Sequence, residues 1–365
     1  MKLAVIGCGY WGPNLIRNLY QLSEENQVVC CDFDTAKLKR MQGLFPQIQT
    51  TTDASQVMDD PDVKAVFLAT PVHSHHTLGE TALKKNKHLF VEKPLANSIE
   101  NALKLVDLAQ ARNRVLMVGH TFEYTAAVNK IKEIVDSGHL GEILYISSTR
   151  VNLGLFQPDI NVVWDLAPHD ISIMNYVLGA APIGVNAQGK AHYKKGIEDV
   201  ATVSLNYDNG VIAFIHVSWL DPNKIRRTTF VGSKKMLVYN DIEMQEKIKI
   251  YDKGVDTPPY YDTYAEFQFS YRYGDIHIPR VEEYEPLRFE LNHFIDCINK
   301  RQTPRSDGYS GLRVVSVLEA AEHSIKNDGK LVRVSERDPL LQSYDASQST
   351  QKGAVPLEPT LFPRT

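Results

Sequence analysis

A glycine turn between two short apolar runs, at the start of the chain, most constrains what this sequence can fold into. Residues 2–6 (KLAVI) are too few for a buried helix and lead directly into residues 7–12 (GCGYWG), a complete G-x-G-x-x-G. Residues 13–22 carry apolar side chains at helical spacing, and a second apolar run at 28–31 ends in Asp32. This order of strand, glycine turn, helix, strand and acid predicts a dinucleotide-binding βαβ unit, where glycines alone would fit any turn.

Each residue type in the turn has its own expected role. Gly7 allows the tight turn out of the strand, Gly9 lets the backbone approach a pyrophosphate, and Gly12 lets the helix pack closely on the sheet. The N-terminus of that helix then offers its N–H groups to the phosphates. Tyr10 and Trp11 are predicted to contact the cofactor, with Trp11 covering the nicotinamide side of the pocket.

Asp32 indicates which cofactor binds. It lies 20 residues after Gly12, where an acidic side chain can accept hydrogen bonds from the ribose hydroxyls of the adenosine. A 2′-phosphate would meet its negative charge, and no arginine is adjacent in sequence. The sequence therefore predicts NAD in preference to NADP.

Charge and composition restrict the partners. Of 365 residues, 43% are hydrophobic and 23% charged, which fits about two globular domains. Forty basic and 44 acidic residues give a formal charge of -4, so no overall field draws the protein to nucleic acid or to anionic lipid. We expect a small-molecule partner.

The four cysteines show no metal or disulfide spacing, and we interpret them as reduced core residues of a cytoplasmic protein. A strand at residue 2 leaves no room for a signal peptide, and no apolar run reaches membrane-spanning length. The sequence therefore predicts neither a membrane segment nor a bound metal.

The residues divide into three regions of different pattern. Residues 1–120 alternate strands and helices, which predicts an α/β, doubly wound parallel sheet. Residues 121–335 contain consecutive β-rich runs and predict an α+β domain with a mainly antiparallel sheet, which we assign to substrate binding and oligomerisation. Residues 336–365 are rich in Ser, Gln, Thr and Pro and predict a loosely ordered tail.

Polar segments follow two of the predicted parallel strands. Ligands of doubly wound sheets bind at the carboxyl ends of the strands, so Thr70, Pro71 and His75 after one strand, and Glu92 and Lys93 after the next, are expected near the cofactor. Three histidines within residues 73–76 raise the hypothesis of a metal site. We reject it because alternate residues of an extended loop point apart and no cysteine or carboxylate cluster supports them.

Over about residues 1–334 the chain resembles the Gfo/Idh/MocA oxidoreductases. The resemblance is carried by the glycine turn, by Ala69-Thr70-Pro71 with His75, by Glu92-Lys93-Pro94, and by Asp165 and His169 within WDLAPHDIS. It implies an N-terminal Rossmann domain and a C-terminal antiparallel sheet. The open face of that sheet commonly builds a homodimer or homotetramer.

The resemblance also implies catalytic residues. Lys93 matches the lysine that reaches between nicotinamide and substrate, His169 matches the usual catalytic histidine, and Asp165 matches the acid four positions before it. Two departures separate this chain from many members: residues 119–124 (GHTFEY) lack an arginine, and residues 163–168 (VWDLAP) replace a glycine-rich run.

Dehydrogenation of a secondary alcohol needs a hydride acceptor and a base for the hydroxyl proton. His169 suits the base, because the apolar helical pattern after Pro168 predicts a helix N-terminus whose positive end keeps the imidazole neutral. Asp165 would favour the imidazolium formed in the reaction, while Lys93, positioned by Glu92, polarises the substrate oxygen. A simple helix-capping pair is the alternative for Asp165 and His169.

Substrate binding is assigned to Lys93, Asp165, His169, His120 and Trp164, where Trp164 either stacks on a sugar ring or belongs to the core. The form WDLAPHDIS most resembles members associated with nucleotide-sugar and polysaccharide biosynthesis. We therefore favour a sugar or nucleotide-sugar substrate, a nucleotide-linked hexose or its uronic acid. An inositol dehydrogenase is one alternative, and a non-catalytic NAD-binding sensor or regulatory subunit is another.

Overall fold

A parallel sheet of six strands forms the first half of the protein. The structure is a computed structural model that describes residues 1–22, 27–256 and 270–334. The strands are β1 (Lys2–Ile6), β2 (Gln27–Cys31), β3 (Gln49–Thr51), β4 (Val63–Leu68), β5 (His88–Glu92) and β6 (Leu116–Gly119). They lie in the order β3-β2-β1-β4-β5-β6, and every neighbouring pair is parallel. The predicted doubly wound α/β sheet is confirmed.

Five helices connect these strands: α1 (Gly12–Leu22), α2 (Thr35–Leu44), α3 (Ala54–Asp59), α4 (His75–Lys84) and α5 (Ile99–Ala111). Side-chain caps fix where several of them begin. The Asp34 carboxylate accepts from the N–H groups of Ala36 and Lys37, and Ser98 Oγ accepts from Asn101 N. Such caps satisfy N–H groups that have no partner within the helix.

The second half is built on a sheet of nine strands. They are β7 (Ile143–Val151), β8 (Gly184–Lys190), β9 (Val200–Asn206), β10 (Ile212–Ser218), β11 (Ile225–Gly232), β12 (Met236–Asn240), β13 (Ile248–Asp256), β14 (Ser270–His277) and β15 (Val332–Arg333). Their order is β14-β13-β12-β11-β7-β10-β9-β8-β15, and only β7 and β10 pair in parallel. The mainly antiparallel sheet is confirmed, although β14 was not anticipated because its side chains are almost all exposed and lack an apolar face.

Four more helices follow: α6 (Ala126–Asp136), α7 (Val162–Leu178), α8 (Pro286–Lys300) and α9 (Gly308–Lys326). Helices α7 and α9 pack against the nine-stranded sheet, α6 packs on α7, and α8 returns to α1 of the first sheet. Helix α8 enters the core of the first sheet, where the Phe294 ring lies 5.3 Å from Phe67 and 5.7 Å from Phe90. A segment assigned to the second domain thus completes the core of the first. The limits 1–120 and 121–335 remain a prediction, and the predicted tail at 336–365 lies outside the described residues.

Helix α7 begins earlier than the sequence indicated. Its N-cap is Asn161, whose side chain accepts from Val163 N and Trp164 N, and Pro168 lies inside the helix. Proline usually marks a first turn because it has no N–H to donate, which is why the start was placed there. The predicted position of His169 at a helix N-terminus is therefore wrong, since two turns of helix precede it.

All four cysteines are free and buried. Within the described ranges no helix is long and apolar enough to cross a membrane. The same residues hold no group of three or more His, Cys, Asp or Glu side chains arranged to bind a metal ion.

Candidate active site

The glycine turn after β1 has the geometry of a phosphate-binding loop. A Cβ on Gly12 would lie 1.9 Å from Gly7 O, and a Cβ on Gly7, where φ is +101°, would lie 2.6 Å from Ala69 O. Both positions therefore require glycine. A Cβ on Gly9 would meet no atom within 4 Å, so the turn is open at the position where a pyrophosphate is expected to approach.

Asp32 lies beside that turn at the carboxyl end of β2. Its buried carboxylate accepts from Cys8 N at 2.7 Å and from Asp34 N at 2.9 Å. Lys37 Nζ, on the first turns of α2, stands 3.9 Å from Asp32 Oδ2. The acid is thus fixed at the ribose end of the predicted site, next to a cation that the sequence analysis missed.

The aromatic residues of the glycine turn differ in their surroundings. Tyr10 is 89% exposed and makes no packed contact with the core. The Trp11 indole nitrogen is buried near the Glu92 carboxyl but forms no well-made hydrogen bond with a described residue. Trp11 therefore joins the glycine turn to the end of β5, and its contact with nicotinamide remains a proposal.

His75 holds two loops together. Its Nδ1 lies 2.9 Å from Pro94 O and its Nε2 lies 2.8 Å from Thr70 O, and the ring is 1% exposed. Burial lowers the pKa of this ring. Both ring nitrogens face main-chain carbonyls, so the position of His75 near the cofactor remains a prediction. His75 ties the Thr70-Pro71 loop, where Ser74 Oγ donates to Thr70 Oγ1 at 2.7 Å, to the residue after Lys93.

Lys93 and Asp165 meet between the two sheets. Lys93 Nζ donates to Asp165 O at 2.7 Å and lies 3.5 Å from Asp165 Oδ1, and both side chains are about one-fifth exposed. Trp219, directly after β10, donates from Nε1 to Asp165 Oδ2 at 3.0 Å. The carboxylate is thus held between an ammonium and an indole. Trp219 was missed because only the packing of β10 against α7 brings it to this site.

The His169 ring faces the same region. It packs edge-on against Phe122 with 5.0 Å between ring centroids, and the Arg150 guanidinium lies 4.8 Å from the same phenyl ring. Burial lowers the pKa of His169 well below 6.5, and the positive charges of Lys93 and Arg150 lower it further. The imidazole is neutral near pH 7, as expected, but burial is the main cause and the helix N-terminus is not.

Asp165 does not supply the expected partner for His169. The two residues are four apart on α7, yet the carboxylate contacts Lys93 and Trp219, and His169 has no ion pair among the described residues. The predicted stabilisation of the imidazolium by Asp165 is therefore not seen. The structure links Asp165 to Lys93.

A cluster of buried polar side chains lies near Lys93. In the part of the chain that the structure describes, polar atoms without a hydrogen-bond partner include Trp11 Nε1, Glu92 Oε1, both ring nitrogens of His120, and Glu290 Oε1. Burial raises the pKa of Glu92 to about 7, lowers that of His120 to about 3, and raises that of Glu290. Such groups are costly when unsatisfied, so their clustering fits a region where polar groups of a bound cofactor or water complete the hydrogen bonds.

Trp164 was assigned to substrate binding but lies in the core, whereas Glu290 was not assigned to the site but lies near it. Trp164 is 6% exposed and donates from Nε1 to Glu322 on α9 at 3.0 Å, so it belongs to the core and does not reach the site. Glu290, on α8, accepts from Thr121 Oγ1 at 2.7 Å and was not considered. Its only sequence signal is an acid on the apolar face of an amphipathic helix.

Comparison with known proteins matches both halves of the chain. A family model described as "Oxidoreductase family, NAD-binding Rossmann fold" matches residues 1–120, and the model of the GFO/IDH/MocA C-terminal domain matches residues 128–238. The two models together cover more than half of the chain.

Several characterised proteins are similar in sequence or fold. UDP-N-acetylglucosamine 3-dehydrogenase of Acidithiobacillus ferrooxidans is 26% identical over 266 residues, 70% of this chain and 76% of that protein. Its solved structure aligns with a TM-score of 0.72 at 23% identity, over 89% of this chain and 99% of that one. The scyllo-inositol 2-dehydrogenase (NAD(+)) of Bacillus subtilis is 22% identical over 90% of this chain and 94% of its own. An Agrobacterium radiobacter oxidoreductase, solved with NAD+, L-tartaric acid and magnesium, aligns with a TM-score of 0.76 at 21% identity, over 93% and 99% of the two chains.

Proposed function

The chain belongs to the Gfo/Idh/MocA oxidoreductase family, with its NAD-binding Rossmann fold, and from this premise we propose that it transfers a hydride between NAD and a ring hydroxyl or ketone of a sugar. The observation that carries the proposal is the contact of Lys93 Nζ with Asp165, beside a neutral His169. A cation and a neutral base, held together at the carboxyl ends of the parallel strands, are the two groups that alcohol oxidation requires.

The residues of the glycine turn fit the cofactor. Gly9 leaves room for a pyrophosphate, Asp32 lies beside the turn where the adenosine ribose would bind, and the buried polar atoms of Trp11, Glu92 and His120 lack partners among the described residues on the side expected for the nicotinamide. When bound there, NAD supplies the acceptor for the hydride. The protein then has to orient the sugar and take up the hydroxyl proton.

We assign the proton to His169. Its imidazole is neutral near pH 7 and can accept a proton at a ring nitrogen. Lys93 places its ammonium where an alkoxide develops and stabilises that negative charge. Asp165 holds Lys93 through its main-chain oxygen and carboxylate and so acts as a positioning residue. We retain His120 as a substrate-side residue because its ring lies close enough to Lys93 for that charge to lower its pKa further.

For the substrate we favour a nucleotide-linked hexose or its uronic acid. The similarity to a UDP-N-acetylglucosamine 3-dehydrogenase supports this class. A free cyclitol is the second candidate, supported by the scyllo-inositol dehydrogenase that aligns with more of the chain at lower identity. The sensor alternative has less support, because a protein without chemistry has no need of Lys93 and His169 in one site.

A panel of substrates with NAD+, followed through NADH absorbance, tests the proposal. Turnover of UDP- or dTDP-linked hexoses but not of myo- or scyllo-inositol is the expected result, and the Lys93→Ala variant serves as the inactive control. Turnover of inositol alone would favour the cyclitol. A protein that binds NADH but oxidises no member of the panel, while the same preparation is fully folded, would favour the sensor.

We also propose that the protein forms a homodimer or homotetramer through the nine-stranded sheet. Tyr145 on β7 and Ile212 on β10 are paired neighbours and are 42% and 40% exposed, and Phe214 on the same strand is 46% exposed. Exposed apolar side chains grouped on one sheet face are typical of protein interfaces. Light scattering of the parent and of Phe214→Lys measures the assembly, and a monomeric parent would contradict it.

A further inference from the structure

A cavity lies at the opposite edge of the first sheet from the active site. It has a volume of about 550 Å³ and is lined by the residues at which β5 and β6 begin, together with the last turns of α5 and α8 and the first turn of α9. Lys93 follows the other end of β5, about 15 Å away along the strand. The cavity is therefore separate from the site that holds the cofactor.

Two arginines give this cavity its charge. Arg114 donates a hydrogen bond from Nε to the main-chain oxygen of Arg112 at 3.1 Å. Its guanidinium has no carboxylate partner among the described residues. Arg301, which ends α8 with a positive φ of +53°, likewise pairs with no acid in the described ranges. The carboxylate in the lining, Asp307, caps α9 by accepting from Ser310 N at 2.8 Å, and burial raises its pKa.

His88 Nε2 and Arg114 Nη1, which both line this cavity, lack a hydrogen-bond acceptor among the described residues. Its Nδ1 accepts from Val115 N at 3.0 Å, so the ring proton of the neutral imidazole must be on Nε2. That nitrogen lies 3.4 Å from Arg114 Nη1, which can only donate. Two donors face each other and neither satisfies the other. An oxygen atom of a ligand that lies within hydrogen-bond distance of both nitrogens would accept from both.

The remaining lining indicates what carries that oxygen. The amide side chains of Gln110, Asn113 and Gln302 surround the cationic wall, and the cavity is larger than one inorganic ion requires. Amides bind hydroxyl groups, and a guanidinium fork binds phosphate oxygens in pairs. We propose that this cavity binds a sugar phosphate, with the phosphate held by Arg114, Arg301 and the Nε2–H of His88.

Calorimetric titration of the full chain, saturated with NADH, with glucose 6-phosphate tests the proposal. Removal of one charged hydrogen-bond donor should weaken binding by about tenfold or more. We expect this loss in Arg114→Ala and in Arg301→Asn, where asparagine tolerates the left-handed backbone. Arg112→Ala is the matched control, because that arginine is exposed and does not line the cavity. It should bind like the parent.

Further comparisons distinguish the proposed cavity from the active site and from a general anion site. Lys93→Ala should bind glucose 6-phosphate with unchanged affinity, and a loss there would place the ligand at the active site and overturn the proposal. Glucose should bind far more weakly, as should glucuronate, which carries a carboxylate. Equal affinity for inorganic phosphate, or an unchanged affinity in Arg114→Ala with its NADH binding intact, would contradict a sugar phosphate site.

Discussion

Lys93 Nζ donates a hydrogen bond to the main-chain oxygen of Asp165 at 2.7 Å and so joins the end of β5 to the first turn of α7. The carboxylate of the same aspartate lies 3.5 Å from the ammonium and accepts from Trp219 at 3.0 Å. The aspartate therefore orients the lysine through two groups, only one of which depends on its side chain. This division leads to different expectations for its variants.

Asp165→Asn should cause a moderate loss of turnover, because the main-chain bond to Lys93 remains while the negative charge beside it is removed. Asp165→Ala should cost more, since it also removes the acceptor for the Trp219 indole and leaves a buried donor unsatisfied. Steady-state kcat and KM of both variants measure this. Trp219→Phe is the matched control: it removes the indole donor together with its hydrogen bond and leaves no buried donor unsatisfied, so it should cost less turnover than Asp165→Ala. A larger loss in Asp165→Asn than in Asp165→Ala would contradict a positioning role.

Cofactor preference should depend on Asp32. Its carboxylate accepts from Cys8 N and lies 3.9 Å from Lys37 Nζ. Asp32→Ala should weaken NADH binding. It should also reduce the difference in affinity between NADH and NADPH, because the positive charge of Lys37 would no longer be neutralised. Lys37→Ala should increase that difference. Calorimetric titration of each variant with both cofactors measures these changes. Tighter binding of NADPH than of NADH by the parent would refute the assignment.

Glu92 makes stability depend on pH in a direction that can be checked. Burial raises its pKa from 4.5 to about 7, so between these values the folded protein binds a proton that the unfolded chain releases, and stability falls as pH rises through this window. Glu92→Gln removes the titration. The Tm of Glu92→Gln minus the Tm of the parent, measured by calorimetry, should therefore be more positive at pH 8 than at pH 5. An equal difference in Tm at both values would mean that Glu92 is not perturbed.

Local patterns in the sequence were sufficient to predict where the glycine turn, Asp32 and Lys93 lie in the fold, while their roles remain predictions. In each case the neighbouring residues determine the conformation: Gly7 and Gly12 admit no Cβ, and a parallel strand delivers Lys93 to the carboxyl edge of the sheet. The same local logic failed at α7, because Pro168 suggested a first turn while the real cap, Asn161, lies seven residues earlier.

Residues that reach the site through tertiary packing could not be identified from sequence. From sequence, Trp164 and Trp219 look equally suitable for a binding site. In the structure Trp164 is hydrogen-bonded to Glu322 on α9, whereas Trp219, directly after β10, is hydrogen-bonded to Asp165. Glu290 joins the cluster of buried polar side chains near Lys93 only because α8 returns to the first sheet. The cause of the low pKa of His169 was missed for the same reason, since its burial depends on the packing of both sheets.

The division of roles between His169 and Lys93 is the central claim, and single-turnover hydride transfer across pH tests it most directly. Loss of a general base should slow the step by about 10² to 10⁴-fold in His169→Ala while NADH affinity is unchanged. Lys93→Ala should reduce both turnover and substrate binding, and Lys93→Arg should not restore them, because a planar fork replaces a point charge. In the parent, the lowered pKa of His169 keeps the base neutral as pH falls, so the rate should decline only below pH 6.5. A parental rate in His169→Ala with no activity in Lys93→Ala would make the lysine the acid and base and contradict this account.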